Sequence, residues 1–167
     1  QPDWTWIKRR SGDPNVIGNG HHSLYDSTRG VTNEIYSDLT SDEADNNNSL
    51  TAFGTDGFTV GSEARVNANN ETHVAWNWKA NGGTTSTIAV DSVSSGVPSI
   101  ASTVQANTTA GFSIVTYTGT GSNATVGHAL GVTPKVVLVK NRDTSGNNWF
   151  SHWTDLLSAD NKVMYLA

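Results

Sequence analysis

Pro2-Asp3-Trp4-Thr5-Trp6-Ile7-Lys8-Arg9-Arg10 has a counterpart late in the chain, Pro134-Lys135-Val136-Val137-Leu138-Val139-Lys140-Asn141-Arg142. Each opens on proline, runs through six residues of strand character to a basic residue, and closes on x-Arg. Proline suits a strand's first position, where no ladder donor is needed. Each copy runs into a polar turn, Ser11-Gly12-Asp13-Pro14 or Asp143-Thr144-Ser145-Gly146-Asn147-Asn148. A second strand follows, His22-Ser23-Leu24-Tyr25 or Trp149-Phe150-Ser151-His152-Trp153. A third comes after it, Asn33-Glu34-Ile35-Tyr36 or Asn161-Lys162-Val163-Met164-Tyr165. Three elements in the same order predict a repeat of short antiparallel strands.

Composition agrees. Ser, Thr and Asn make up about a third of the 167 residues, with 16 Gly. Long Leu/Ala/Glu/Lys stretches, which a helical chain needs, are missing, while Thr, Val, Ile and aromatics suit a pleated surface. The chain is predicted to be all-β. The net charge is −5 and the ten basic residues are scattered, so nucleic acid is not an expected partner. There is no cysteine, which removes disulfides, thiolate metal sites and cysteine nucleophiles. No apolar run approaches the roughly 20 residues of a membrane span, so membrane insertion is not expected.

The first copy continues into strands Leu50-Thr51-Ala52-Phe53 and Gly57-Phe58-Thr59-Val60-Gly61 around a Gly54–Gly57 turn, then Thr72–Ala80. In that last strand Val74, Trp76 and Trp78 share one face. The second copy is prefaced by the alternating strand Gly111–Gly119. The predicted organisation is 1–83, the back part of one repeat; 84–110, a Ser/Thr/Gly-rich linker; and 111–167, the front part of the next, with the boundary near Gly111. A start at Gln1 and an apolar end at Lys162–Ala167 read as a window on a longer polypeptide.

Several segments together resemble a repeat family of marine bacteriophages, cyanophages above all, found in tail-fibre-like and other virion structural proteins. They are Leu24–Gly30, Phe53–Gly61, Ala75–Ala80, Gly111–Gly121 and Val126–Lys135. The resemblance implies a concanavalin A-like jelly-roll sandwich, antiparallel and repeated in tandem, on a virion surface or outside the cell. It carries no catalytic residues over. Fold alone does not choose between lectin, glycan-binding module and glycosidase.

A sandwich glycosidase needs paired carboxylates, but Glu34, Glu43, Glu63 and Glu71 stand singly, and Asp42-Glu43-Ala44-Asp45 has the look of a solvated loop. No enzyme activity is expected. The pairs Trp4/Trp6 and Trp76/Trp78 are predicted core. Trp149 and Trp153, flanking the 143–148 loop, are the candidate platform for sugar rings, with His152, Asp143, Asn147 and Asn148 as polar contacts. Asp13, Asn15, Asn19, His21 and His22 lie at the equivalent end of the first copy. Asp143, Ser145 and Asn147 offer alternating oxygen ligands, a candidate Ca²⁺ site; no other cofactor is expected. The function expected is a structural or adhesion module of a phage fibre or surface appendage with weak glycan binding. Expected partners are other copies of itself, other virion proteins or host-surface glycans. A bacterial surface carbohydrate-binding adhesin is the alternative, and a polysaccharide depolymerase the third.

Overall fold

A computed structural model describes residues 1–12, 20–93, 97–155 and 164–166. Within them lie thirteen short strands and one four-residue helix. The protein is all-β and its strands pair antiparallel.

The central sheet has the order β4-β3-β2-β1-β7. It is built from β1 (Trp4–Arg9), β2 (His22–Asp26), β3 (Gly30–Tyr36), β4 (Ala44–Asp45) and β7 (His73–Trp78). One face carries Ile7, Tyr25 and Ala75. It is covered by the hairpin β5 (Leu50–Gly54) and β6 (Gly57–Val60) and by α1 (Ala64–Asn67), so Leu50, Val66, Phe53 and Phe58 complete a core. Glu63 caps α1, its side chain accepting from Arg65 N. The opposite face carries Leu24 and Ile35, which Trp149 and Leu138 cover.

The alternation of period two predicts most of these strands, and they form where it does. Residues 84–110 depart from expectation. The segment is not a bare linker, because it contributes β8 (Ser86–Ile88) and β9 (Ser102–Asn107). Both join β10 (Phe112–Tyr117) in a sheet of order β10-β9-β8. Six residue pairs link β9 to β10. Gly111, the expected boundary, stands at φ +66° in the turn between them, a conformation open to glycine. Ser, Thr, Gln and Asn take most positions of β8 and β9, which conceals those two strands in the composition.

The third sheet holds β11 (Val136–Val139), β12 (Phe150–Trp153) and β13 (Met164–Tyr165), in that order. Its pairing parallels that of the first three strands. Ile7 lies opposite Ser23 and Ser23 opposite Tyr36; Val139 lies opposite Phe150 and Phe150 opposite Tyr165. Glu43 ties this sheet to the central one. It accepts from Arg29 Nη1 at 2.6 Å and from Arg142 Nη2 at 2.7 Å and Nε at 3.0 Å. Glu43 is therefore clamped between two guanidinium groups, not solvated as its acidic neighbourhood suggests.

Candidate functional site

β1 and β7 run antiparallel with Trp4 opposite Trp78 and Trp6 opposite Trp76. The period of two puts all four indoles on one face. The ring centroids lie 6.0 Å apart for Trp4–Trp78 and 5.7 Å for Trp6–Trp76, tilted and edge-on. Phe112 closes one end, 5.5 Å from Trp4 and stacked on Trp78 at 6.3 Å. Trp4 and Trp6 are half-buried. Trp76 and Trp78 are 44% and 40% exposed, which overturns their expected place in the core. The reason is topological: β7 is the last strand of its sheet, and the covering elements reach Trp4 and Trp6 but stop short of Trp76.

His22 closes the other end. Trp6 Nε1 donates to its Nδ1 at 2.8 Å, which assigns the ring proton to Nε2. Burial, then the charge of Lys8, holds His22 below the ordinary histidine range, so it is neutral at pH 7. The result is a partly open aromatic shelf with a neutral imidazole donor and the Lys8 ammonium at its margin. Stacking on apolar ring faces and hydrogen bonding to hydroxyls are what such a surface can do.

The expected platform falls elsewhere. Trp149 is 4% exposed and packs on Leu24 and Ile35. Its Nε1 donates to Tyr36 O at 2.6 Å. It is a core residue, and a sugar has no access to its face. Trp149→Phe should cost about 1–2 kcal/mol, since it keeps most of the packing but leaves the carbonyl unpaired; a urea titration checks this. Trp153 is half-buried, and its Nε1 is enclosed without a hydrogen-bond partner among the described residues. His152 is half-buried beside it on β12, opposite Val137.

The 143–148 loop closes on itself. Asn141 Oδ1 accepts from Asp143 N at 2.9 Å and Thr144 N at 3.1 Å, while Asn147 Nδ2 donates to Thr144 O at 2.9 Å. Gly146 N donates to Thr40 O at 2.9 Å, and Lys140 Nζ donates to Asn147 O at 2.5 Å. Asp143 and Ser145 are exposed, with Asn147 and Asn148 half-buried. No group of three or more His, Cys, Asp or Glu able to hold a metal lies among the described residues. His21 pairs with Asp38 Oδ2 at 3.0 Å and rests against Tyr36. Asp13, Asn15 and Asn19 lie outside the described residues.

Sequence reasoning missed Trp76 and Trp78 as exposed groups. The signal was the i,i+2 spacing itself, which marks a shared face without saying whether that face is covered.

Over residues 1–167 the chain matches the family described as a domain of unknown function, DUF7483, and belongs to it. No curated protein and no solved structure matches it.

Proposed function

We propose that this DUF7483 domain is a structural and adhesion module of a virion or other extracellular appendage. It is a jelly-roll-related unit of a tandem repeat that binds glycans weakly through the Trp76/Trp78 shelf. The observation that carries the adhesion half is the exposure of two neighbouring indoles beside a neutral histidine donor. Indole faces stack on the C–H faces of sugar rings, and Nε2–H of His22 supplies a directed hydrogen bond. Repetition along a fibre makes weak single sites effective.

The repeat half is supported by the matched registers of β1-β2-β3 and β11-β12-β13. A role without catalysis is supported by how the carboxylates are engaged. Glu34 is buried against Tyr25, Glu43 sits between two arginines, and Glu71 accepts from Ser11 Oγ at 2.6 Å.

Glycan-array binding tests the reading. Trp76→Ala and Trp78→Ala should each weaken binding about tenfold, or about 1.4 kcal/mol, and lower stability by about 1 kcal/mol through the lost ring contacts with Trp6, Trp4 and Phe112. Binding unchanged in both variants sinks the shelf. Release of reducing sugar that a Glu→Gln change abolishes would mean a depolymerase instead.

A further inference from the structure

The edges of two sheets are open in a complementary way. Among the described residues, β7 is the last strand of the central sheet, bonded to β1 on one side only, and β11 is the last strand of the third sheet, bonded only to β12. An edge strand presents a row of unpaired backbone donors and acceptors and is normally blunted by charge, proline or a bulge. β11 has none of these within Val136-Val137-Leu138-Val139, and Val136 and Val139 are 40% and 36% exposed.

What the β11 edge accepts is indicated by β1. Arg10 N donates to Thr72 O at 2.7 Å, and the antiparallel alternation then turns Lys8, Trp6 and Trp4 toward β7. In the third sheet Thr154 N donates to Lys135 O at 3.0 Å. The same alternation gives Val137 and Val139 to β12 and leaves Val136 and Leu138 facing outward. Val136 and Leu138 stand where Trp4 and Trp6 stand in the earlier copy. β11 thus offers the same edge, in the same phase, on which β1 takes a strand. β7 uses the backbone groups of Val74, Trp76 and Trp78 on β1, so its own free edge is the opposite one, where the alternation leaves His73, Ala75 and Asn77 facing outward.

We infer that β11 of one copy pairs with the open edge of β7 in a second copy, joining units head to tail into one continuing sheet. A contact between two different edges is heterologous and does not close on itself after two subunits, so it propagates. A symmetric β11–β11 pair would leave the β7 edge open; the heterologous contact satisfies both. The strands add in the plane of the sheet, beside the indoles and not over them. The inference rests on the repeat part of the reading above and is independent of glycan binding.

The full chain is measured by light scattering over a wide concentration range, with Val136→Pro and Val137→Lys beside it. Proline at 136 removes an outward donor without touching the β12 ladder, and lysine at 137 charges the edge through an exposed side chain. Wild type should grow through successive multiples of one chain. Both variants, with wild-type circular dichroism and thermal midpoint, should stay at one chain, and a synthetic peptide of residues 72–79 should lower the wild-type mass. A wild type that remains at one chain, a mass that stops at two, or a folded Val137→Lys that assembles like wild type overturns the inference. If glycan binding persists in any of these cases, only the edge is lost.

Discussion

Glu34→Ala is expected to lower the unfolding free energy by about 3–5 kcal/mol, the range for breaking a buried charged cluster by removing one partner. Glu34 is fully buried on β3, between the central sheet and the elements that cover it. Tyr25 donates its hydroxyl proton to Oε1 at 2.5 Å and shares a second bond of 2.9 Å with Ser49 Oγ. Asn46 Nδ2 donates to Oε2 at 3.1 Å, and Arg65 Nη2 lies 3.6 Å from the same oxygen. Alanine leaves the Tyr25 hydroxyl and the Asn46 amide short of a partner, each worth about 1–3 kcal/mol when orphaned. Arg65 also stands over the Tyr36 ring at 5.5 Å, so its loosening reaches a second aromatic. A urea midpoint with an unchanged slope reads the loss. A change under about 1 kcal/mol would mean the cluster is solvated.

The same carboxylate sets an alkaline limit. Burial, then the charge of Glu34, pushes the Tyr25 and Tyr36 phenols well above their ordinary value of 10.0. A group whose pKa is raised on folding contributes stability that is complete below its unfolded value and is lost as pH rises past it. Stability should therefore fall above about pH 10. In Glu34→Gln the tyrosine absorbance change should move to lower pH, because the negative charge beside both phenols is gone.

The strands were legible because their backbones obey a period of two that side-chain type reports directly. Trp4–Arg9, Leu50–Gly54 around its turn, and Phe112–Tyr117 lie where alternation places them. Two kinds of information were not local. β8 and β9 are mostly Ser, Thr, Gln and Asn, a composition shared with linkers; only pairing of β9 with β10 and of β8 with β9 makes them strands, and pairing is decided by the partner. Side-chain burial is equally non-local. Trp149 and Trp76 look alike in sequence, each an aromatic in a short strand segment, but one meets Leu24 and Ile35 while the other hangs from an edge strand. The candidate site moved for that reason alone. Glu43 misled in the opposite direction, since its acidic neighbours are local and its arginines come from residues 29 and 142.

Asp3 shows how one such non-local group holds the shelf together, and Asp3→Ala is expected to cost about 3–4 kcal/mol. The carboxylate is fully buried at the start of β1. Oδ2 accepts from Ala80 N at 2.7 Å and Gly82 N at 2.8 Å; Oδ1 accepts from Gly83 N at 2.7 Å and Ser27 Oγ at 2.8 Å. Gly82 and Gly83 have φ of +63° and +83°, so their amides form a concave nest that suits an anion. This turn leads from β7 into the β8-β9-β10 sheet, and Gln105 Nε2 reinforces it by donating to Ser27 Oγ at 2.9 Å and Thr28 Oγ1 at 2.8 Å. Alanine strands the Ala80 and Gly82 amides, leaves Gly83 N only its bond to Gln105 Oε1 at 3.0 Å, and frees the sheet that carries Phe112 against Trp4 and Trp78. Tryptophan emission should therefore shift to the red at denaturant concentrations where wild type is folded. The position matching Asp3 in the second copy is Lys135, which pairs with Asp155 on the surface at 2.8 Å, so only the first copy has this anchor. The sign with pH follows. Burial raises the Asp3 carboxyl, but the bonds from Ser27 and the three amides outweigh it and hold it below 3.8. Its contribution is complete above that value and is lost as pH falls through the depressed one. Asp3→Asn keeps the shape, removes the titration and leaves one oxygen for four donors. It should lower stability at pH 7 and flatten the acid limb below about pH 4, where Glu43 and Asp38, also held low, supply what remains. An acid limb as steep in Asp3→Asn as in wild type would place the anchoring elsewhere.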